Sequence, residues 1–224
     1  MRCTIYSSLD GQPCAEGVLP QEYVLIKMDV IPPLPPKLKA LEGRKVYLAT
    51  TTLIPQMMCG ETNCWVLPDG KHGAFEINDT VVFILTTMSP LNLAYQNLLR
   101  VQEKPTCLAE LYGSDLIGLP LKSPLVFNEI ICAVPMMTIL TDKGTCAVNS
   151  VLSDSPHDVK VVQDLVSKPA LRAKFDKWVL PFKVVGIINI PEFGDKSIEK
   201  ECFDLKIKSK NNKEKLVEAN RMTY

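Results

Sequence analysis

The chain has 224 residues, enough to bury a core without disulfides or a metal, as one large domain or two small ones. It is 46% hydrophobic with a formal net charge of zero, which excludes a disordered composition and a strongly basic binder of DNA. No apolar run approaches the roughly 20 residues of a membrane span, and MRCTIYSSLDGQPC has no apolar signal segment, so a cytoplasmic chain with reduced cysteines is expected.

Residues 22–30, EYVLIKMDV, read as a strand, and IPPLPPK (31–37) as an extended connector rather than a PxxP ligand. KVYLATTT (45–52) and TNCWVL (62–67) are further strands. HGAFEI (72–77) and TVVFILTT (80–87), joined through Asn78 and Asp79, predict a hairpin. Ser89-Pro90 has the N-cap and N1 types for a helix running to about Leu98. A β region punctuated by Pro and Gly then runs to EIICAVPMMTIL (129–140). The turn TDKGT (141–145) follows, then the strand CAVNSV (146–151). Ser155-Pro156-His157-Asp158 opens a helix with Val159, Val162 and Val166 on one face, and Lys168-Pro169 breaks it. KVVGIINI (183–190) reads as the last strand, and charged amphipathic helices are expected over 196–206 and 212–222. A β-dominated core with helices at its rim predicts an α+β, barrel-like fold.

Most motifs of catalysis are missing. There is no GxGxxG, Walker loop, CxxC pair or GxSxG elbow, and two histidines make a zinc site of the usual kind improbable. Cys59 and Cys64 read as inert core thiols, and His157 as a surface residue. Three features remain. Thr50, Thr51 and Thr52 end an apolar strand like the lip of a small polar pocket, yet Met57 and Met58 follow like a plug. KGTC (143–146) is a tight turn, either a plain hairpin connection or one whose N–H groups face a ligand. Ser155 to Asp158 has capping-box spacing, and a carboxylate at a helix start is either a cap or a fixed anion for an ammonium group. Together they describe a site for a small zwitterion or an aminoacyl ester, with no evident nucleophile. KIKSKNNKEK (206–215) reads as a solvated helix junction, with tRNA contact as the alternative.

The stretches TIYSSLDGQPC, PQEYVLIKM, GETNCWVLPDGKHGAFEINDT, LNLAYQNL, VPMMTILTDKGT, SDSPHD, KPALRAKF and INIPEFGDKS resemble the editing domain of cytosolic leucyl-tRNA synthetases of eukaryotes, most of all those of plants. The resemblance covers nearly the whole chain. It implies residues 1–20 as an N-terminal hairpin or linker segment. Residues 21–224 then form the editing domain, shortened at its C-terminus. The HIGH and KMSKS signatures of the ATP site are not in these 224 residues. The implied activity is hydrolysis of mischarged aminoacyl-tRNA(Leu) at its 3′ end. It uses no cofactor, metal or covalent nucleophile, and it corrects a discrimination that a missing methylene makes worth only about 1–3 kcal/mol.

Carried over by position, the resemblance makes Thr52 and Asp158 the catalytic pair, with Asp158 holding the substrate's α-ammonium. Thr50, Thr51, Met57, Gly144, Thr145, Asn149 and Val151 would line the substrate. The family's peptide reads roughly T-L-R-P-E-T-M-x-G. Here Ile54 stands for its Arg, Gln56 for its Glu and Met57 for its size-sensing Thr. Cys146 replaces the second glycine of the family's GTG turn, a glycine that serves either a backbone at φ > 0 or a close approach, and Asn149, Leu152 and His157 also depart from the pattern. The expectation is an impaired editing domain whose pocket motif has become a plug. A non-catalytic tRNA- or synthetase-binding pseudoenzyme, or a gene remnant, is the alternative.

Overall fold

A computed structural model describes residues 2–5, 21–101, 104–126, 130–140, 144–153, 155–167, 197–207 and 212–223, with isolated positions 169, 184, 186 and 194. The strand expected at 183–190 and the break at Lys168-Pro169 fall almost wholly outside these residues. The strands are β1 (Arg2–Ile5), β2 (Gln21–Val30), β3 (Lys45–Thr52), β4 (Glu61–Val66), β5 (Lys71–Glu76), β6 (Val81–Thr86), β7 (Cys107–Tyr112), β8 (Pro120–Lys122), β9 (Ile131–Pro135) and β10 (Ala147–Val151). Among the described residues the helices are α1 (Ser89–Tyr95), α2 (Gly113–Leu116), α3 (Pro156–Ser167), α4 (Ser197–Asp204) and α5 (Lys213–Thr223). Short 3-10 helices span Pro36–Leu41 and Pro55–Gly60, and the proline-rich connector, expected to be extended over 31–37, instead bends at Pro32 and Pro33 and enters the first of these helices at Pro36.

All the strands join one mixed sheet in the order β10-β4-β9-β8-β2-β3-β6-β5-β7, with β1 added on β2. The pairs β3–β6 and β4–β9 are parallel and the others antiparallel. The α+β class expected from the sequence is the class observed. Among the described residues the sheet is not closed by strand pairing: β7 and β10 end the path, and β10 instead curls over to pack on β3. The barrel-like character therefore lies in curvature and not in a closed ladder.

The sequence pattern explains the layers. The β5–β6 hairpin forms as expected, from Glu76 opposite Val82 to His72 opposite Thr86. Its turn is held by Asn78, whose Oδ1 accepts from the N–H groups of Thr80 and Val81 at 3.0 and 2.9 Å. In β3, alternation sends Val46 and Leu48 into a central core with Met28, Ile84 and Leu121. Tyr47 and Ala49 point to the opposite face, where Leu25, Phe83 and Leu85 meet Leu93 and Ala94 of α1. A third core joins Trp65 and Val134 to Val159, Val162 and Leu165 of α3, Ile198 of α4 and Leu216 of α5.

Two helix expectations need correction. Ser89 is not an N-cap: Met88 occupies that position without a side-chain cap bond, and Ser89 lies inside the helix start. Its hydroxyl has a stronger use elsewhere, described below. On α3, Val166 is 40% exposed, whereas Leu165 and Val161 are buried. The buried stripe is Val159, Val162 and Leu165, which share one core with Ile198 of α4 and Leu216 of α5. Leu165→Ala should cost about 2–5 kcal/mol, whereas Val166→Ser should stay within about 0.5 kcal/mol. Urea denaturation midpoints of the two variants check this, and equal losses would restore the original face.

Candidate functional site

The three threonines do not act as one lip. Thr50 and Thr52 share the face of Leu48, and Thr51 points the other way. Thr50 is fully buried, and among the described residues its Oγ1 has no hydrogen-bond partner. Thr52 Oγ1 accepts from the Ile54 N–H at 3.1 Å, which turns the chain out of β3. The 3-10 helix that follows starts with Pro55, whose missing N–H costs nothing at that position. Its inward residue is Met58 at 1% exposure, in the central core, while Met57 is half-buried. The methionine that fills the interior is thus Met58. Its sulfur accepts from Asn149 Nδ2 at 3.0 Å, which ties the threonine segment to β10 and leaves Asn149 Oδ1 without a described partner.

The turn before β10 is not a hairpin connection, because β9 and β10 each pair with β4 and not with each other. Gly144 has φ of 60° and Cys146 has φ of 56°, so both lie in the left-handed region. The glycine-type backbone expected where Cys146 stands is what the chain adopts, and the Cys146 side chain is buried. Gly144 sits against the lip: a Cβ added there would lie 2.7 Å from Thr51 Oγ1. Behind the turn, Ser89 Oγ donates to the Gly144 carbonyl at 2.6 Å, and Thr86 Oγ1 is 2.7 Å from Ser89 Oγ. Thr145 is buried, with its Oγ1 donating to the Ala147 carbonyl at 3.3 Å.

β10 leads directly into the third feature. The Ser155 N–H donates to the Val151 carbonyl at 3.1 Å, and Ser155 Oγ accepts from the Asp158 N–H at 3.2 Å. The cap therefore forms, but only one way, since Ser155's own N–H is spent on β10. Asp158 is buried in the first turn of α3, with His157 Nδ1 at 3.8 Å from its Oδ1. The structure brings the threonine segment, the Gly144 turn and Asn149 together through β10. Asp158 enters through its sequence continuity with Val151, and its described contacts are with Ser155 and His157.

Sequence reasoning missed two groups beside this site. Glu61 opens β4 opposite Val151, where the β4–β10 register shifts. It is 1% exposed, and burial pushes its carboxyl up to about 8, with Ser123 offsetting a little. Among the described residues neither carboxyl oxygen has a hydrogen bond of normal geometry. Its signal was a lone acid in a run that is buried throughout. The second is His72, buried on β5 with Nδ1 on the Gly70 carbonyl at 3.0 Å, an arrangement in which Nδ1 donates. Burial lowers its pKa, partly offset by the Gly70 and Cys146 backbones. Two clefts lie away from the threonines. One of about 430 Å³ runs between Lys71, Phe75, Leu91 and Tyr112, and one of about 680 Å³ between Pro32, Arg44 and Lys122. Among the described residues no three His, Cys, Asp or Glu side chains are grouped to hold a metal ion.

No family model matches the chain. It is 60% identical over its whole length to the cytoplasmic leucine–tRNA ligase of Arabidopsis thaliana and 46% identical to that of Dictyostelium discoideum. It spans about a fifth of the length of these curated relatives (21% and 22%). The crystal structure of GlLeuRS-CP1 superposes with a TM-score of 0.81 at 31% identity, covering 91% of this chain and 85% of that one. The cytosolic leucyl-tRNA synthetase editing domain of P. knowlesi shares the fold at 22% identity and a TM-score of 0.78, covering 90% of this chain and 83% of that one. The chain belongs to the family of leucyl-tRNA synthetase editing domains, the module also called CP1. The cytoplasmic location expected from the sequence agrees with the names its relatives carry.

Two measurements follow from the site's geometry. Gly144→Ala places a Cβ at positive φ against Thr51, and should destabilise the chain by about 1–3 kcal/mol. A calorimetric Tm equal to that of the parent would show that the turn does not need glycine. For Glu61, the folded state keeps its proton up to about pH 8, whereas an unfolded carboxyl releases it above 4.5. Stability should therefore fall as pH rises through that window, by an amount on the order of a few kcal/mol, and Glu61→Gln should flatten the fall. Urea midpoints at the two ends of the window test this, and parallel curves for parent and variant would sink it.

Proposed function

We propose that this chain carries the frame of an aminoacyl-tRNA editing site whose hydrolytic activity is impaired. The partner is the 3′ end of tRNA(Leu) bearing a wrong amino acid. The observation that carries the reading is the packing of Gly144, at positive φ, directly on Thr51, with Asn149 tied to the same segment through Met58. In this reading the N–H groups of the turn face the ester, and Asp158 in the first turn of α3 holds the α-ammonium. Thr52 orients the attacking water together with the terminal ribose hydroxyl. No covalent intermediate is required.

The impairment comes from the contents of the site. Met57 places a flexible thioether where the resemblance calls for a small threonine, and overpacking a fitted pocket costs about 1–3 kcal/mol. That corresponds to roughly ten- to a hundredfold in substrate affinity. Ile54 and Gln56 remove a cation and an anion from the same segment. Leu53 and Ile54 are exposed at its mouth, which favours a second reading, a binding module without catalysis that docks a synthetase surface or a tRNA.

The deciding experiment is hydrolysis of norvalyl-tRNA(Leu) by the purified chain, beside a variant carrying Ile54→Arg, Gln56→Glu and Met57→Thr. The expected result is a slow parent, with the restored variant at least about tenfold faster. A parent as fast as the restored variant removes the impairment. A restored variant no faster than spontaneous hydrolysis removes the editing reading and favours the binding module.

A further inference from the structure

The hydroxyl pair Thr86 and Ser89 belongs to no motif that the sequence singled out for function. Both side chains are buried, at 4% and 6% exposure. Ser89 Oγ is committed as a donor, because its partner, the Gly144 carbonyl at 2.6 Å, can only accept. Its proton being used, the 2.7 Å contact with Thr86 requires the Thr86 hydroxyl to donate to Ser89 Oγ. The direction of the chain is thereby fixed: Thr86 O–H to Ser89 O–H to the carbonyl of Gly144. A polarised hydroxyl is a stronger donor than an isolated one.

The relay runs from a rigid source to a strained target. Thr86 ends β6, a central strand paired on both sides, directly opposite His72 on β5. Ser89 sits at the start of α1, whose Leu93 and Ala94 are packed in a core. Gly144 and Cys146 hold left-handed backbone that, for Cys146, has no glycine to ease it. We propose that Ser89 and Thr86 are positioning residues. They hold the Gly144 turn against Thr51 from behind, so that one wall of the candidate site is set by the β6–α1 junction and not by the turn's own sequence. This rests on the editing reading for its functional half only; the mechanical half stands on the hydrogen bonds.

The test has two arms. In the natural chain without tRNA, amide hydrogen exchange is followed in Ser89→Ala and in the nearly isosteric Thr86→Val. Either change should speed exchange of the amides of residues 144–147 by about tenfold or more and leave those of β5 and β6 unaltered. Unchanged exchange at the turn in both variants overturns the proposal, and so does a general rise across the sheet. In the restored background, Ser89→Ala should lower kcat for norvalyl-tRNA(Leu) hydrolysis by about tenfold or more with KM within about twofold, and Ser89→Thr, which keeps the hydroxyl, should recover it. An unaltered kcat, or equal loss in Ser89→Thr, overturns the positioning role. A restored parent with no activity removes the editing reading, and the exchange arm then decides the relay by itself.

Discussion

The burial of β4 is the constraint on which the rest of the structure depends. Every residue from Glu61 to Val66 is buried, with β9 bonded on one edge and β10 on the other. Cys64 and Val66 face the central core, and Trp65 faces the helices. A strand enclosed on both faces leaves no room for water, so polar side chains there must find partners or stay neutral. For Glu61, burial favours the neutral form and pushes its carboxyl up to about 8. The burial also dictates where β10 goes. It takes β4's only remaining edge and, following the sheet's curl, comes to lie over β3. That single placement brings Asn149 to Met58, delivers the turn to Thr51, and points the exit of the strand into α3 with Asp158 at its start.

The site is therefore assembled by sheet topology, while its local geometry is held by a few polar bonds. Three of them matter most. Asn149 Nδ2 on the Met58 sulfur ties the threonine segment to the strand. Ser89 on the Gly144 carbonyl ties the turn to α1. The Ser155 N–H on the Val151 carbonyl ties the helix start to the strand end. Each joins two elements distant in sequence or turning sharply, and each uses a group that local secondary structure would otherwise leave without a partner. The methionine–amide contact is the weakest of these. A thioether is a poor acceptor, and the Asn149 carbonyl oxygen gains nothing from it.

Much of this was legible in the sequence where a pattern is local. KVYLATTT is a strand to the residue, because alternating β-branched and aromatic residues define both its faces and its length. The Asn78 turn and the Ser155 cap announced themselves through side chains that bond their own backbone. The left-handed position at Cys146 was legible only through the resemblance, since cysteine itself carries no signal of positive φ. What the sequence hid was long-range. Three adjacent threonines look like a cluster until alternation splits them between two faces. Met57 and Met58 are indistinguishable by type, and the phase of a one-turn 3-10 helix decides which enters the core. Ser89-Pro90 has the form of a cap, but a carbonyl 55 positions away claims the hydroxyl. The strand 146–151 reads as the partner of the strand before it, although β4 has come between them.

The frame of the site and its contents are separable for a physical reason. Three of the residues that depart from the family's pattern, Ile54, Gln56 and Met57, lie on a short 3-10 segment and the residue before it and are exposed or half-buried, whereas Asn149 and Leu152, which also depart, belong to the frame, Asn149 through its bond to Met58 and Leu152 by its burial. None of the three lies in a strand, so changes there leave the sheet pairing untouched. Cys146 is different, because it occupies backbone that disfavours it, and a left-handed non-glycine residue persists only where its surroundings over-determine it. Here the surroundings are the Ser89 bond on the carbonyl two residues earlier, the β4–β10 ladder that begins at Ala147, and the burial of the thiol. None of these depends on residues 54–57. The turn, the strand and the helix start are thus held by contacts that lie outside residues 54–57, and the geometry of this wall does not depend on the side chains of that segment.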